Sequence, residues 1–182
     1  LNQLSYVDEL VGIPNRRKFD EFFEQTLELA SRNGRPVGMM MLDIDCFKKY
    51  NDLYGHLAGD QCLKAIGWVL RQCVHRSTDL IARYGGEEFV VVIQESSFSG
   101  MMQIAENIRR EIENMAIVHE DSPLGHVTIS IGVTYGQVTA HTTIHEFIAR
   151  ADEALYLAKD RGRNQVAVSK GLEQNVLDDA HE

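Results

Sequence analysis

At 182 residues, 44% hydrophobic and 25% charged, the chain can bury a core without disulfide or metal staples and has the composition of a soluble globular domain. A formal net charge of −9 excludes a general nucleic-acid-binding surface, which needs a basic face, although a local patch with a metal ion could still hold a nucleotide. The longest apolar stretches, 37–42 and 89–93, are too short to cross a bilayer, and Asp8 and Glu9 interrupt any leader, so a cytosolic location is expected. The three cysteines, Cys46, Cys62 and Cys73, show neither a CxxC pair nor a histidine-partnered pattern and read as reduced structural thiols.

In chain order, Pro14 and Asn15 precede a helix expected over 16–32, with Phe19, Phe22, Phe23 and Leu27 at helical spacing and Gly34 as its stop. The apolar run 37–42 reads as a buried strand finishing in Asp43-Ile44-Asp45. A short helix over 47–53 and a longer one from about 58 to 74 follow, the latter buried through Leu63, Ile66, Leu70 and Cys73. Residues 80–84 and 87–93 read as strands joined at Gly85 and Gly86. Two glycines between β-rich runs signal a hairpin, because the favoured two-residue turns need positive φ. A helix over 98–115, a strand over 127–135, a helix over 144–160 and a short strand over 165–168 complete the pattern. From Ser169 onward the sequence is polar and acidic and reads as a frayed tail. The expected architecture is one domain over 1–168, an α/β (α+β) sandwich with a mixed sheet covered by helices, and a tail over 169–182.

Asp43 and Asp45 end an apolar strand, and Glu87 and Glu88 adjoin the hairpin turn. Such carboxylates, gathered on one sheet, make a hard-oxygen site suited to Mg²⁺, which stabilises phosphoryl transfer. Taken singly they read equally as solvated strand ends. The surrounding residues decide between the two. DIDCFKKYNDLYGHLAGD at 43–60 resembles the DxDxFKxxNDxxGHxxGD stretch of the diguanylate cyclase, or GGDEF, family. RYGGEEF at 83–89 resembles its naming motif in the GGEEF form. DELVGIPNRR at 8–17 is similar to its opening DxLTGLxNRR, and 151–164, ending AKDRGRN, to its closing AKxxGRN. These motifs stand in family order over about residues 6 to 168. Val11 and Ile13 replace the usual Thr and Leu, away from the acids.

The resemblance implies a ferredoxin-like, nucleotidyl cyclase-like core whose hairpin carries the GGEEF motif. It also implies condensation of two GTP into cyclic di-GMP with release of two pyrophosphates. Asp43, Glu87 and Glu88 become the catalytic acids. Asp43, Glu87, Glu88 and the carbonyl of Ile44 become ligands of two Mg²⁺ or Mn²⁺ ions. Successive strand residues point to opposite faces, so both glutamates reach one site only if the turn distorts the ladder; Glu87 therefore ranks above Glu88. Asn51 and Asp60 resemble the guanine readers, and a carboxylate can accept from both N1–H and N2–H₂, whereas adenine would leave it unpaired. Read without the motif they are helix caps. Lys48, Lys159 and Arg163, with backbone amides around Phe47 and Lys48, resemble the phosphate-holding group. Alone, Lys159 and Arg163 read as charges at a helix C-terminus. His56 is expected only to shape the turn.

Arg76 and Asp79 resemble the family's RxxD inhibitory site, with Arg109 or Arg110 as a second arm; on their own they read as a helix-end pair. The implied partners are GTP, cyclic di-GMP as product and inhibitor, and a second copy of the chain, since one domain offers one guanine pocket. An N-terminal regulatory region is expected to lie outside this chain. A degenerate receptor of the same fold, or a cyclase acting on a single nucleotide, are the alternatives; the retained Asp43, Glu87, Glu88, Lys159 and Arg163 favour the active cyclase that joins two GTP.

Overall fold

A computed structural model describes residues 4–169. Its elements are α1 (Arg16–Asn33), β1 (Pro36–Ile44), α2 (Phe47–Tyr54), α3 (His56–Cys73), β2 (Leu80–Gly85), β3 (Glu88–Gln94), α4 (Phe98–Asn114), β4 (Ile129–Gln137), α5 (Ile144–Asp160) and β5 (Val166–Val168). The strands form one five-stranded sheet in the order β2-β3-β1-β4-β5. All neighbours are antiparallel except β4 and β5, so the sheet is mixed, as expected.

Strand parity sorts the core into two layers. Met40, Leu42 and Ile44 face one side with Phe89, Val91, Ile93, Ile129, Ile131 and Val133, and pack against α3 and α4. Val37, Met39 and Met41 face the other with Val90 and Val92, and pack against α1 and α5. Because both faces are covered, β1 is buried from Val37 to Ile44 and reads as a continuous apolar run. On the α5 side the approach is closest at Gly132, where a Cβ would lie 2.2 Å from the Leu155 backbone nitrogen and 2.3 Å from the Ala151 carbonyl oxygen.

Local chemistry sets the helix ends. The Asn15 side chain accepts from Lys18 N–H, and Gly34, left-handed at φ 64°, donates to Ala30 O. Thr143 and Glu146 close a reciprocal capping box on α5. Gly55, at φ 89°, ends α2 and immediately starts α3, so α3 begins at His56 rather than near residue 58. The hairpin also differs from expectation: the turn residues are Gly86 and Glu87, and neither Gly85 nor Gly86 adopts positive φ. A register shift between Arg83 and Gly85 accommodates the turn instead. Ser169, expected to begin the frayed tail, is buried, with its N–H donating to Val133 O. The rest of the expected tail, 170–182, lies outside the described residues.

Candidate active site

Asp43 ends β1 with Glu88 directly opposite on β3 and Ser130 opposite on β4. Parity turns Asp43 and Glu88 to the α5 side. There Lys159, in the last turn of α5, donates to Asp43 Oδ2. Burial pushes Asp43 up from 3.8 to about 6, and the carboxylates of Glu87 and Glu88 add to the rise while Lys159 opposes it. Glu88 is raised too, by burial and then by Asp152 and Glu87. Several carboxylates thus crowd around one ammonium, an imbalance that a divalent cation would relieve. The available donors are hard oxygens suited to Mg²⁺ or Mn²⁺. Among the described residues no three or more His, Cys, Asp or Glu side chains stand together closely enough to hold a metal ion by themselves.

Two adjoining chambers surround this strand end. One, of about 350 Å³, is lined by Asp43, Ile44, Cys46, Phe47, Lys48, Glu87, Lys159 and Arg163, among others. The other, of about 460 Å³, is lined by Phe47, Lys48, Asn51, His56, Asp60, Arg83, Gly86 and Glu87, with Leu63 behind. Phe47, Lys48 and Glu87 border both. Glu87, in the turn, therefore stands at the junction, while Glu88 and Gly85 line neither chamber. Asn51 and Asp60 come from α2 and α3, which meet closely because residue 59 is glycine: a Cβ there would lie 1.8 Å from Asn51 Oδ1. That Oδ1 is buried and has no hydrogen-bond partner among the described residues. It is an acceptor awaiting a donor. His56, expected only to shape the turn, opens α3 and lines the same chamber.

Asp45 has a different task from Asp43. Its buried carboxylate accepts from Thr128 Oγ1 at 2.8 Å, Ser130 Oγ at 2.6 Å and Asn164 N–H at 3.1 Å. It ties β1 to β4 and to the turn after α5, where Arg163 and Asn164 both have positive φ. Arg83 is a second residue whose role the motif alone did not reveal. Its guanidinium donates to Gly86 O at 3.0 and 2.8 Å and pairs with Asp8 at 3.2 Å, bracing the hairpin turn against the N-terminal segment. Only the pairing across 75 residues, invisible to local pattern, exposes that role.

The Arg76–Asp79 pair lies at the other end of the sheet. Gln94, opposite Val37, is six strand steps from Glu88, opposite Asp43, roughly 20 Å away. Asp79 is 1% exposed and accepts from Arg76 Nε at 2.8 Å and from Gln94 N–H at 2.9 Å; the Arg76 side chain is 43% exposed. Asp79 therefore aims Arg76 outward, while its own oxygens are already engaged. Arg109 bonds Glu106, Glu113 and Asn164, the last of which holds Asp45, so it belongs to the acid end rather than beside Arg76. Arg110 is exposed and donates to Asn107.

The thiols remain free, and burial pushes Cys62 up to about 12. Among the described residues no helix is long and apolar enough to cross a membrane.

The family model described as "Diguanylate cyclase, GGDEF domain" matches residues 5–165. Diguanylate cyclase A of Treponema denticola is 39% identical over 145 residues, covering 80% of this chain and 38% of that protein. Diguanylate cyclase DgcP of Pseudomonas aeruginosa is 40% identical over 168 residues, covering 92% of this chain and 24% of that protein. The chain thus spans well under half the length of these curated relatives. The GGDEF domain of DgcB from Caulobacter crescentus, solved in complex with c-di-GMP, superposes with a TM-score of 0.84 at 31% identity, covering 94% of this chain and 97% of that one. The chain belongs to the diguanylate cyclase GGDEF-domain family.

Proposed function

We propose that this chain is a diguanylate cyclase domain that joins two GTP molecules into cyclic di-GMP. The observation that carries this reading is the junction of the two chambers. Guanine-compatible acceptors, Asn51 and Asp60, lie on one side; acids and phosphate-holding cations lie on the other; Phe47, Lys48 and Glu87 border both. A purine held by Asn51 and Asp60 directs its triphosphate past Glu87 toward Lys48, Lys159 and Arg163.

Two Mg²⁺ or Mn²⁺ ions held by Asp43, the Ile44 carbonyl, Glu87 and Glu88 would, when bound, stabilise charge on the reacting phosphate. The chain's own residues supply the rest. Asp60 and Asn51 orient the base, and Lys48, Lys159 and Arg163 hold the β- and γ-phosphates. Glu87, or a water beside it, takes the proton from the 3′-hydroxyl. That oxygen forms a bond to the α-phosphorus of the other GTP as the bond to the pyrophosphate oxygen breaks. A second, symmetric attack closes the ring and releases the second pyrophosphate. The described residues form one guanine chamber and the product has two guanines, so two copies meet about a two-fold axis.

The test is to incubate the chain with GTP and Mg²⁺ and separate the nucleotides by chromatography, with Glu87→Gln alongside. Cyclic di-GMP from the parent chain and a loss of at least ~100-fold in the variant, with unchanged thermal unfolding, are expected. Full turnover by the variant would refute the role of Glu87, and GTP binding without any product would point to a receptor.

A further inference from the structure

The loop between α4 and β4 carries a histidine that neither chamber uses. His119 is completely buried, and its Nε2 lies 2.9 Å from the carbonyl oxygen of Cys46, 73 residues away. A carbonyl only accepts, so Nε2 carries the hydrogen. Nδ1 is also buried and has no hydrogen-bond partner among the described residues. The ring meets Tyr50 edge-on, with centroids 5.3 Å apart, and Tyr54 at 6.2 Å. The next residue extends the grip: Glu120 N–H donates to the Tyr54 hydroxyl at 3.0 Å. The loop itself is braced by a bridge between Val118 and His126 and by His119 N–H donating to Gly125 O.

Cys46 is the point at which β1 turns into α2. It is left-handed at φ 53°, an uncommon conformation for a residue with a Cβ. On one side Asp45 is fixed by Thr128, Ser130 and Asn164. On the other, the Cys46 carbonyl accepts both Tyr50 N–H and His119 Nε2. This turn sets where the first amides of α2 and the Lys48 side chain point. A packing role alone would be served by an apolar side chain, which leaves no orphan nitrogen in the core.

We infer that His119 is a positioning residue for the triphosphate, holding the Cys46 turn so that the start of α2 faces the phosphates; this rests on the reading that the start of α2 binds them. It touches no substrate atom. Its loss acts first at the Cys46 carbonyl, where α2 begins, and so weighs more on the phosphate end than on the guanine end, because Asn51, although on the same helix, is held besides by its close approach to Gly59 on α3.

The experiment measures binding of 3′-deoxy-GTP with Mg²⁺, and of guanosine, to the parent chain, H119L, H119Q and K48A. H119L removes the donor, and H119Q offers an amide N–H at a comparable reach. Affinity of H119L for 3′-deoxy-GTP is expected to fall about tenfold with guanosine changing by less than about twofold, and H119Q to recover most of the loss. H119L binding like the parent chain, or losing guanosine and 3′-deoxy-GTP equally, overturns the inference. K48A separates the two claims: if it binds 3′-deoxy-GTP undiminished, the phosphate reading fails, whereas a weakened K48A beside an unaffected H119L refutes only the role of His119. Should H119L not fold, the imidazole ¹H–¹⁵N spectrum of the parent chain decides. A slowly exchanging Nε2–H supports the inference, and an Nδ1–H tautomer overturns it.

Discussion

Asp43 and Asp45 stand two residues apart in one motif, yet their surroundings assign them opposite work. Asp45 spends its oxygens on Thr128, Ser130 and Asn164 and holds the scaffold together. Asp43 has one protein cation, Lys159, and burial outweighs it, so its carboxyl sits near 6 rather than 3.8. A raised carboxyl stabilises the fold fully below about 4, and that contribution is lost as pH rises through about 6. The rise corresponds to on the order of 2–3 kcal/mol held against the ionised form. Asp43→Asn, in the presence of chelator, is therefore expected to unfold several degrees above the parent chain at pH 8, about 2–4 °C per kcal/mol, with the gap roughly halved near pH 5 and closed below about pH 4. Mg²⁺ should raise the parent's unfolding temperature and not the variant's. Thermal scans across that pH range check this; a variant less stable than the parent at pH 8 would show that Asp43 is well compensated without metal.

At the scale of elements, the sheet and its helices were largely legible, because apolar period and caps determine them locally. Asn15, Gly34 and the run 37–42 finishing in Asp43-Ile44-Asp45 placed α1 and β1 within a residue or two. The misses were non-local or conformational. The glycines at 85 and 86 signalled a turn correctly, but not through positive φ; a Cβ at either would meet nothing within 4 Å. What they leave is open space beside Glu87, which suits a turn that a nucleotide must approach. Asp79 looked like a ligand-facing acid, and only its bond to Gln94 N–H reveals it as buried. His119 carries no motif and could not be found from sequence. Gly132 was equally silent, although α5 rests on it. Gly132→Ala would drive a Cβ into backbone atoms of Leu155 and Ala151, which cannot rotate away. Overpacking of about 3 kcal/mol or more is expected, lowering the unfolding temperature by roughly 6–12 °C, with activity falling because α5 carries Lys159. Calorimetry with an activity assay checks both; an unchanged unfolding temperature would mean that α5 shifts freely.

For the whole molecule, the acid end and the Arg76 end are separate addresses on one sheet. Feedback by cyclic di-GMP at Arg76 would have to be carried through β2 and β3 or through contact between copies. Arg76→Ala is expected to lose most of its sensitivity to added cyclic di-GMP while its initial rate stays within about twofold of the parent chain. A dose–response of initial rate checks it, and an unchanged inhibition curve would remove Arg76 from that site.

The central claim is that two copies, each with one guanine chamber, combine two GTP molecules. The most direct measurement is the initial rate of cyclic di-GMP formation per chain over a wide range of chain concentration, with saturating GTP and Mg²⁺. If pairs carry the reaction, the rate per chain rises with concentration and levels off as they form. A rate per chain independent of concentration while the protein stays monomeric, or a product containing a single guanosine, would contradict it.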